Sequence, residues 1–446
     1  MTVALIAFAI VIGLVLVRVP IGIAMGTVGA LGFVYLRDGR WSAGLGPAAD
    51  SVLDVAQNDA LSVIPLFILM GMLIAQSGMA HDLYRAAYAA VGRLPGGLAM
   101  STILACGGFS AVSGSSLATA AIMSQVALPS MRKFGYHDTL STASVAAGGS
   151  LGILIPPSII LIIYGFLTGQ SIGKLFLAGI LPGVLGIVLY LFAVAFVVWR
   201  KPDAGPAGPP MDRGEAKRSI IRVIPILLLF LIIIGGIYGQ VFTADEAAGV
   251  GAFGAIVISI AIGRFSWSGL IRALSQTVKT SVGLFVLLIG ADIFNRLITR
   301  AGLPDDLLAL VQGNGFGPFT VLAIMMVIYL ILGAVFESLS MITLTVPVFA
   351  PLIASLGFFE GDVTGEMALI WFGIIVVVVT EISLITPPIG LNVFVLRSVV
   401  TDVSTGTIFR GVTPFWVADI VRLIVLICLP ALSLLLPMGI LSFGGG

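Results

Sequence analysis

The chain has 446 residues, of which 59% are hydrophobic and 10% charged, with a net charge of +1 at pH 7 and a mean hydropathy of +1.17. Because soluble domains carry roughly a quarter of their residues as charged side chains, this composition excludes an ordinary soluble domain and indicates a polytopic membrane protein. The near-neutral charge gives no sign of nucleic-acid binding, and the two cysteines, Cys106 and Cys428, predict neither a disulfide framework nor a metal site.

Apolar stretches long enough to cross a bilayer run through most of the chain. A membrane-spanning helix takes about 20 mainly apolar residues. By this measure the sequence predicts ten spans, near residues 3–17, 20–36, 61–77, 143–167, 175–199, 220–240, 245–263, 281–299, 367–396 and 414–437. We therefore predict an all-α polytopic membrane protein embedded in a lipid bilayer.

Two further apolar segments, 97–131 and 317–353, each have a polar centre between two short apolar arms. The centres are Ser113 to Ser116 in one segment and Glu337 to Ser340 in the other. We interpret each segment as a re-entrant helical hairpin. A pair of short spanning helices per segment is the alternative, and it stays open from the sequence.

Paired prolines interrupt two of the predicted spans. Pro156-Pro157 lies within 143–167, and Pro387-Pro388 lies within 367–396. Proline lacks the backbone donor and clashes with the preceding turn, so each pair breaks its helix and leaves carbonyl and amide groups without intrahelical partners. At membrane depth such groups need protein, water or an ion, and secondary transporters bind substrate and ion there. A re-entrant hairpin would bring its polar turn towards the break of its own half.

The chain contains an internal repeat. Residues 171–182, SIGKLFLAGILP, recur with one deletion as residues 404–414, STGTIFRGVTP, and the proline pairs precede them in the same order. Repeats of this kind are typical of transporters. The first repeat is predicted over 1–200 and the second over 219–440, joined by a linker at 201–218.

The linker fixes the predicted orientation. It is rich in proline and glycine and carries Lys201, Arg213, Lys217 and Arg218. By the positive-inside rule it is cytoplasmic. Five predicted spans precede it, and an odd number inverts the second repeat relative to the first and places both termini in the periplasm.

Polar groups at the hairpin turns and helix breaks are the candidate binding residues. Carbonyl and hydroxyl oxygens suit a small cation such as sodium, and the amino ends of broken helices suit an anion. The candidates in the first half are Ser113, Gly114, Ser115, Ser116, Gly149, Ser150, Pro156, Pro157 and Ser158; those in the second half are Glu337, Ser338, Ser340, Thr380, Glu381, Thr386, Pro387, Gly390 and Asn392. The expected cargo is a small organic anion with sodium as the coupling ion, and neither an organic cofactor nor a transition metal is predicted.

Each candidate also has a purely structural interpretation. Serine and threonine in membrane helices often make only interhelical contacts. Glu337 and Glu381 lie within membrane segments, where an ionisable side chain indicates function by default, although a hydrogen-bonded structural acid is the alternative. An intramembrane hydrolase using Ser115 or Ser116 is a competing function, but the chain has neither a His-Glu-x-x-His motif nor a Gly-x-Ser-x-Gly elbow.

An ordered set of motifs extends along nearly the whole chain. They are PLFILMG at 65–71, LPGGL at 94–98, SGSS at 113–116, LGILIPPS at 151–158, SIGKLFLAGILPG at 171–183, FTADEAA at 242–248 and TPPIGLN at 386–392. Together these motifs resemble the large membrane subunit of tripartite ATP-independent periplasmic (TRAP) transporters.

The resemblance implies an elevator-type secondary transporter of the bacterial inner membrane, driven by a sodium gradient and fed by a periplasmic solute-binding protein. It also implies a small four-helix membrane subunit, expected as a separate chain, and a domain of hairpins and broken helices that moves against a scaffold of long helices. Ser383 stands where the family pattern usually has a glycine, which puts the geometry of the second ion site in question. A stand-alone sodium- or proton-coupled symporter or antiporter of similar fold is the other interpretation, and the identity of the acid is open.

Overall fold

The computed structural model describes residues 1–333, 335–359, 361–362 and 365–443, and every regular element in them is a helix. The predicted all-α fold is therefore confirmed. The first half of the chain comprises α1 (Thr2–Leu16), α2 (Ile21–Leu36), α3 (Trp41–Ala56), α4 (Val63–Gln76), α5 (Met79–Val91), α6 (Gly97–Ser113), α7 (Ser116–Lys133), α8 (Asp138–Ser150), α9 (Ile159–Thr168) and α10 (Ile172–Arg200).

The second half begins inside the stretch expected as a linker, because the first helical turn after the proline-rich segment starts at Arg213. Its helices are α11 (Arg213–Tyr238), α12 (Ala244–Ala261), α13 (Trp267–Arg300), α14 (Leu303–Gly313), α15 (Pro318–Gly333), α16 (Ser338–Ser355), α17 (Glu366–Ile385), α18 (Leu391–Val399), α19 (Thr405–Cys428) and α20 (Ala431–Phe443).

Eight helical segments of the described residues are long and apolar enough to cross a membrane: Asp59–Gln76, Ile172–Arg200, Arg213–Tyr238, Ala244–Ala261, Trp267–Arg300, Ser338–Ser355, Glu366–Ile385 and Thr405–Cys428. Two predicted spans differ in extent from the helices that contain them. The span predicted at 281–299 belongs to a helix that already begins at Trp267. The span predicted at 414–437 is divided between α19 and α20, because Pro414 is tolerated inside α19 whereas the helix ends just before Pro430, which has no backbone donor.

The two halves repeat one order of elements. A helix, a shorter helix, a helical hairpin, a broken helix and a long helix follow one another as α4 to α10 and again as α13 to α19. Helices of one half also pack against helices of the other: α2 of the first half contacts α13 of the second, and α4 contacts α12. Small residues allow the first of these crossings: a Cβ on Gly290 would lie 1.9 Å from the carbonyl oxygen of Gly22.

Both proline pairs interrupt their helices, as predicted. In the first half α8 ends at Ser150, a 3₁₀ turn covers Leu151–Ile153, and α9 begins at Ile159. In the second half α17 ends at Ile385 and α18 begins at Leu391. Each break follows a hairpin of two packed helices, α6 with α7 and α15 with α16. The fold thus places two polar turns and two helix breaks within one bundle.

Candidate ion and substrate site

The tip of the first hairpin lies directly against the break in its own half. Gly114 joins α6 to α7 with φ +58°, and a Cβ at this position would lie 3.3 Å from the carbonyl oxygen of Pro157. A Cβ on Gly152, in the 3₁₀ turn, would lie 3.2 Å from the carbonyl oxygen of Ser115. The two glycines therefore let backbone carbonyls of the tip and of the break approach closely. This is the juxtaposition that the sequence predicts for a re-entrant hairpin.

Several predicted serines in this half also stabilise the ends of helices. The hydroxyl of Ser115 accepts from the amide of Ala118 at 3.4 Å at the start of α7, and that of Ser158 accepts from the amide of Leu161 at 3.3 Å at the start of α9. Ser113 shares a hydrogen bond with Thr119 at 2.8 Å. These contacts keep the hydroxyls of Ser115 and Ser158 at helix amino ends and join the end of α6 to the first turn of α7.

The remaining first-half candidates are buried around the same turn. They are Gly114, Ser116, Gly149, Ser150, Pro156 and Pro157. A Cβ on Gly149 would lie 2.8 Å from the Cβ of Ala120, so α8 and α7 are in close contact. Sequence reasoning missed Ser110, whose buried hydroxyl has no hydrogen-bond partner among the described residues. Its oxygen would lie 3.1 Å from a Cβ on Gly152, which adds a third oxygen to the tip and break.

The hairpin tip of the second half is partly open. Glu337 is exposed at the start of α16, whereas Ser338 and Ser340 are buried. The hydroxyl of Ser338 has no hydrogen-bond partner within the described part of the chain. At the break, Pro387 is exposed, in contrast to its buried counterpart Pro156.

Polar side chains at the second break are held by specific hydrogen bonds. Thr380 donates to the carbonyl of Val376 at 2.7 Å. Thr386 accepts from the indole nitrogen of Trp416 at 3.0 Å. The turn after it needs Gly390, which has φ +55°. The second break is therefore ordered by contacts from α17 and α19.

Asn392 joins the two halves. Its side chain is fully buried, and its Nδ2 donates to the carbonyl of Ala146 in α8 at 3.1 Å. Its Oδ1 has no hydrogen-bond partner among the residues that the structure describes. The hairpins cross over in the same way, since α7 packs against α18 and α16 packs against α9. Both breaks thus lie at the junction of the two repeats.

Glu381 is fully buried and forms an ion pair with Arg422, which is also fully buried. This contact favours the structural interpretation of Glu381 over a direct ion ligand. Sequence reasoning missed Arg422 and its neighbour Asp419 as members of the site. The sequence contains a signal for them, because two opposite charges three residues apart lie in the otherwise apolar second half of α19.

The helix breaks, the hairpins packed against them and the repeated order of helices define a polytopic membrane transporter. Residues 8–432 match the family model described as the DctM component of the tripartite ATP-independent periplasmic transporter. The chain therefore belongs to the DctM family of TRAP transporter large permease proteins.

Named relatives cover most of the chain. It is 36% identical over 390 residues to the C4-dicarboxylate TRAP transporter large permease protein DctM of Pseudomonas aeruginosa, covering 87% of this chain and 88% of that protein. It is 32% identical to the sialic acid TRAP transporter large permease protein SiaM of Vibrio cholerae, covering 97% and 98%. It is 30% identical to the ectoine TRAP transporter large permease protein TeaC of Halomonas elongata, covering 96% and 97%. Because these relatives are transporter permease subunits, the chain is not an enzyme, and the hydrolase interpretation is set aside.

Two solved structures share the fold at low sequence identity. The YdaH transporter of Alcanivorax borkumensis matches with a TM-score of 0.54 at 16% identity, covering 88% of each chain. MtrF of Neisseria gonorrhoeae matches with a TM-score of 0.57 at 13% identity, covering 88% of this chain and 85% of that one. Both likenesses concern the arrangement of helices alone.

Proposed function

We propose that this chain imports a small organic anion across the bacterial inner membrane by using a sodium gradient. A periplasmic solute-binding protein delivers the anion, and a small four-helix membrane subunit completes the transporter as a separate chain. The observation that carries the proposal is the close contact between the hairpin tip at Gly114 and the helix break at Pro157. That contact gathers oxygen atoms in a segment of the chain that is otherwise apolar.

The chemistry of these oxygens suits sodium. Around the first break they are the carbonyls of Ser115 and Pro157 and the hydroxyl of Ser110, which has no hydrogen-bond partner in the described part of the chain. In the second half, the hydroxyl of Ser338 and the Oδ1 of Asn392 are buried without partners among the described residues. Neutral hard oxygens of this kind bind small hard cations. Sodium enters this scheme as a co-transported ion.

The amino ends of the half-helices support an anionic cargo. Helix α7 begins at the first hairpin tip and α9 at the first break. In the second half, α16 begins at the hairpin tip and α18 at the break. Free amides and partial positive charge gather at such ends and favour a carboxylate. Two of the named relatives are described as transporting C4-dicarboxylates and sialic acid, which are both carboxylic acids. A small organic acid is therefore the proposed substrate class.

An elevator motion fits the division of the bundle. The hairpins and broken helices pack with α10 and α19, while α2 packs against α13 and α12 against α4; α13 and α4 also contact the hairpin helices α16 and α6. We assign the hairpins, the broken helices, α10 and α19 to the moving transport domain and α2, α4, α12 and α13 to the scaffold. The basic segment after α10, which includes Arg200 and Lys201, is placed in the cytoplasm by the positive-inside rule, with both termini in the periplasm.

Reconstitution in proteoliposomes tests the proposed function. We expect uptake of radiolabelled succinate or sialic acid only when the solute-binding protein, the small subunit and an inward sodium gradient are all present. The reason is that the gradient supplies the free energy and the binding protein supplies the substrate. Equal uptake with a proton gradient alone would contradict the sodium coupling. Uptake without both partner proteins would instead favour the stand-alone symporter or antiporter.

We expect Asn392→Leu to raise the sodium concentration for half-maximal uptake by about three- to tenfold, because the change removes a buried neutral oxygen at nearly constant volume. The measurement is initial uptake rate against sodium concentration. Asn314→Leu is the matched control, since Asn314 also donates through Nδ2 to a carbonyl, that of Leu310 at 2.7 Å, but lies exposed at the end of α14. An unchanged sodium dependence in Asn392→Leu would remove Asn392 from the site.

A further inference from the structure

Five fully buried polar side chains form a continuous network between the two broken helices. The hydroxyls of Ser150 and Tyr190 lie 3.2 Å apart, and Tyr190 donates to Oδ2 of Asp419 at 2.5 Å. Nη2 of Arg422 lies 2.9 Å from Oδ1 of Asp419 and also contacts Glu381. The network therefore runs from the end of α8, through α10 and α19, to α17.

The ends of this network occupy equivalent positions in the two repeats. Ser150 lies six residues before Pro156, and Glu381 lies six residues before Pro387. Tyr190 lies eight residues after Pro182 in α10, and Arg422 lies eight residues after Pro414 in α19. The pair Ser150 and Tyr190 in one half thus corresponds to the pair Glu381 and Arg422 in the other.

Asp419 connects these two pairs. It lies five residues after Pro414, where the first repeat has Ile187 five residues after Pro182. The repeat-related pairs are therefore joined by one carboxylate that only the second repeat supplies. Because Asp419 bonds to Tyr190 of the first half and lies against Arg422 of the second, it links the two pairs across the halves.

The network is not expected to stabilise the folded protein as well as apolar side chains would. Nε and Nη1 of Arg422 and Oε1 of Glu381 are buried without hydrogen-bond partners among the described residues. A buried ionic group that is only partly satisfied often stabilises less than apolar packing of the same volume. The guanidinium of Arg422 fits only because residue 186 is glycine, since a Cβ on Gly186 would lie 2.2 Å from Nη1 of Arg422.

We propose that this network positions the two helix breaks relative to each other and thereby makes sodium binding in one half depend on sodium binding in the other. The inference rests on the proposed function, because it assumes that each half holds an ion. Arg422, Asp419 and Tyr190 are positioning residues in this scheme: they act through Ser150 and Glu381, which lie on the helices that end at the breaks. Each half senses the other through displacement of one shared chain of hydrogen bonds and ion pairs.

Tyr190→Phe is the most selective test. It removes the hydroxyl that links Ser150 to Asp419 while the ring keeps its edge contact with Phe415, at 5.3 Å between centroids. The experiment titrates sodium chloride into the purified full chain in lipid nanodiscs and follows the heat of binding. We expect a Hill coefficient above 1 for the unmodified chain and a decrease to about 1 for Tyr190→Phe, because independent sites show no cooperativity.

Two further variants keep the test decisive. Tyr329→Phe is the matched control, because Tyr329 is equally buried and hydrogen-bonded, to Thr345 at 2.7 Å, but lies outside the network; it should keep the Hill coefficient of the unmodified chain. Gly186→Ala displaces the guanidinium of Arg422 without removing a charge, and it should lower the Hill coefficient even if Tyr190→Phe fails to fold.

Three outcomes would overturn specific statements. Cooperative binding that persists in a folded Tyr190→Phe or Gly186→Ala variant would overturn the inference. Non-cooperative binding to the unmodified chain would also overturn it, while leaving sodium-coupled uptake intact. Absence of sodium binding to the unmodified chain would instead overturn the sodium part of the proposed function.

Discussion

Gly114→Leu is expected to abolish most sodium-dependent uptake, with a loss of at least about tenfold, equivalent to roughly 1.4 kcal/mol. Gly114 has a positive φ, and even a Cβ there would lie 3.3 Å from the carbonyl oxygen of Pro157 and 3.4 Å from the side chain of Ile159. A leucine side chain would therefore push the hairpin tip away from the break. The measurement is initial uptake in proteoliposomes, normalised to the amount of inserted protein.

Gly135→Leu provides the control for backbone strain. Gly135 has φ +75°, and nothing lies within 4 Å of a Cβ at its position. Both variants therefore pay a left-handed backbone cost of about 1–2 kcal/mol, but only Gly114→Leu fills the space between tip and break. If the two variants lost uptake equally, the tip-to-break contact would have no special importance for transport.

The second large effect is expected from Gly333→Ala, which should destabilise the protein by about 1–3 kcal/mol through overpacking. A Cβ on Gly333, at the end of α15, would lie 2.2 Å from the Cβ of Ser383 in α17. Replacing Ser383 by glycine removes the opposing atom. We therefore expect the double variant Gly333→Ala with Ser383→Gly to recover stability, with a coupling free energy of about 1–3 kcal/mol between the two sites.

Thermal unfolding of the four proteins in one detergent measures this coupling. Gly283→Ala is the control, because Gly283 is also helical but has nothing within 4 Å of a Cβ, so the change should be neutral or stabilise by up to about 1 kcal/mol. Additive effects in the double variant would show that Ser383 and Gly333 do not oppose each other. The pair also explains how the side chain of Ser383 fits between the helices: Gly333 of α15 lies opposite it and has no side chain.

The local chemistry of the chain predicts the main parts of the site. Each proline pair removes two successive backbone donors, so the breaks that follow Ser150 and Ile385 can be predicted from the local sequence. The hairpin turn at Gly114 likewise follows from a polar group between apolar arms. The length of α13 cannot be predicted in this way. Its first turns, from Trp267, carry polar residues, so the apolar pattern shows only the later part of a continuous helix.

Long-range partners could not be predicted from sequence. Tyr190 and Asp419 are separated by 229 residues, and nothing in an apolar stretch identifies which tyrosine meets which acid. The same holds for Asn392, whose partner Ala146 offers only a backbone carbonyl. Glu381 was identified as a buried acid, but its ion pair with Arg422 depends on how α17 and α19 pack. The local sequence thus predicts which residues are candidates, whereas their roles depend on how the two repeats pack together.

The packing of helices of one half against helices of the other also bears on biosynthesis. The surface of α4 that receives α12, and those of α7 and α9 that receive α18 and α16, belong to helices synthesised before their partners. In a nascent chain that has inserted only α1 to α10, the helices that pack on these surfaces have not yet been synthesised. Neither repeat covers these surfaces by itself, and the contacts of α8 and α10 with α19 and α20 form only after those last helices have been synthesised.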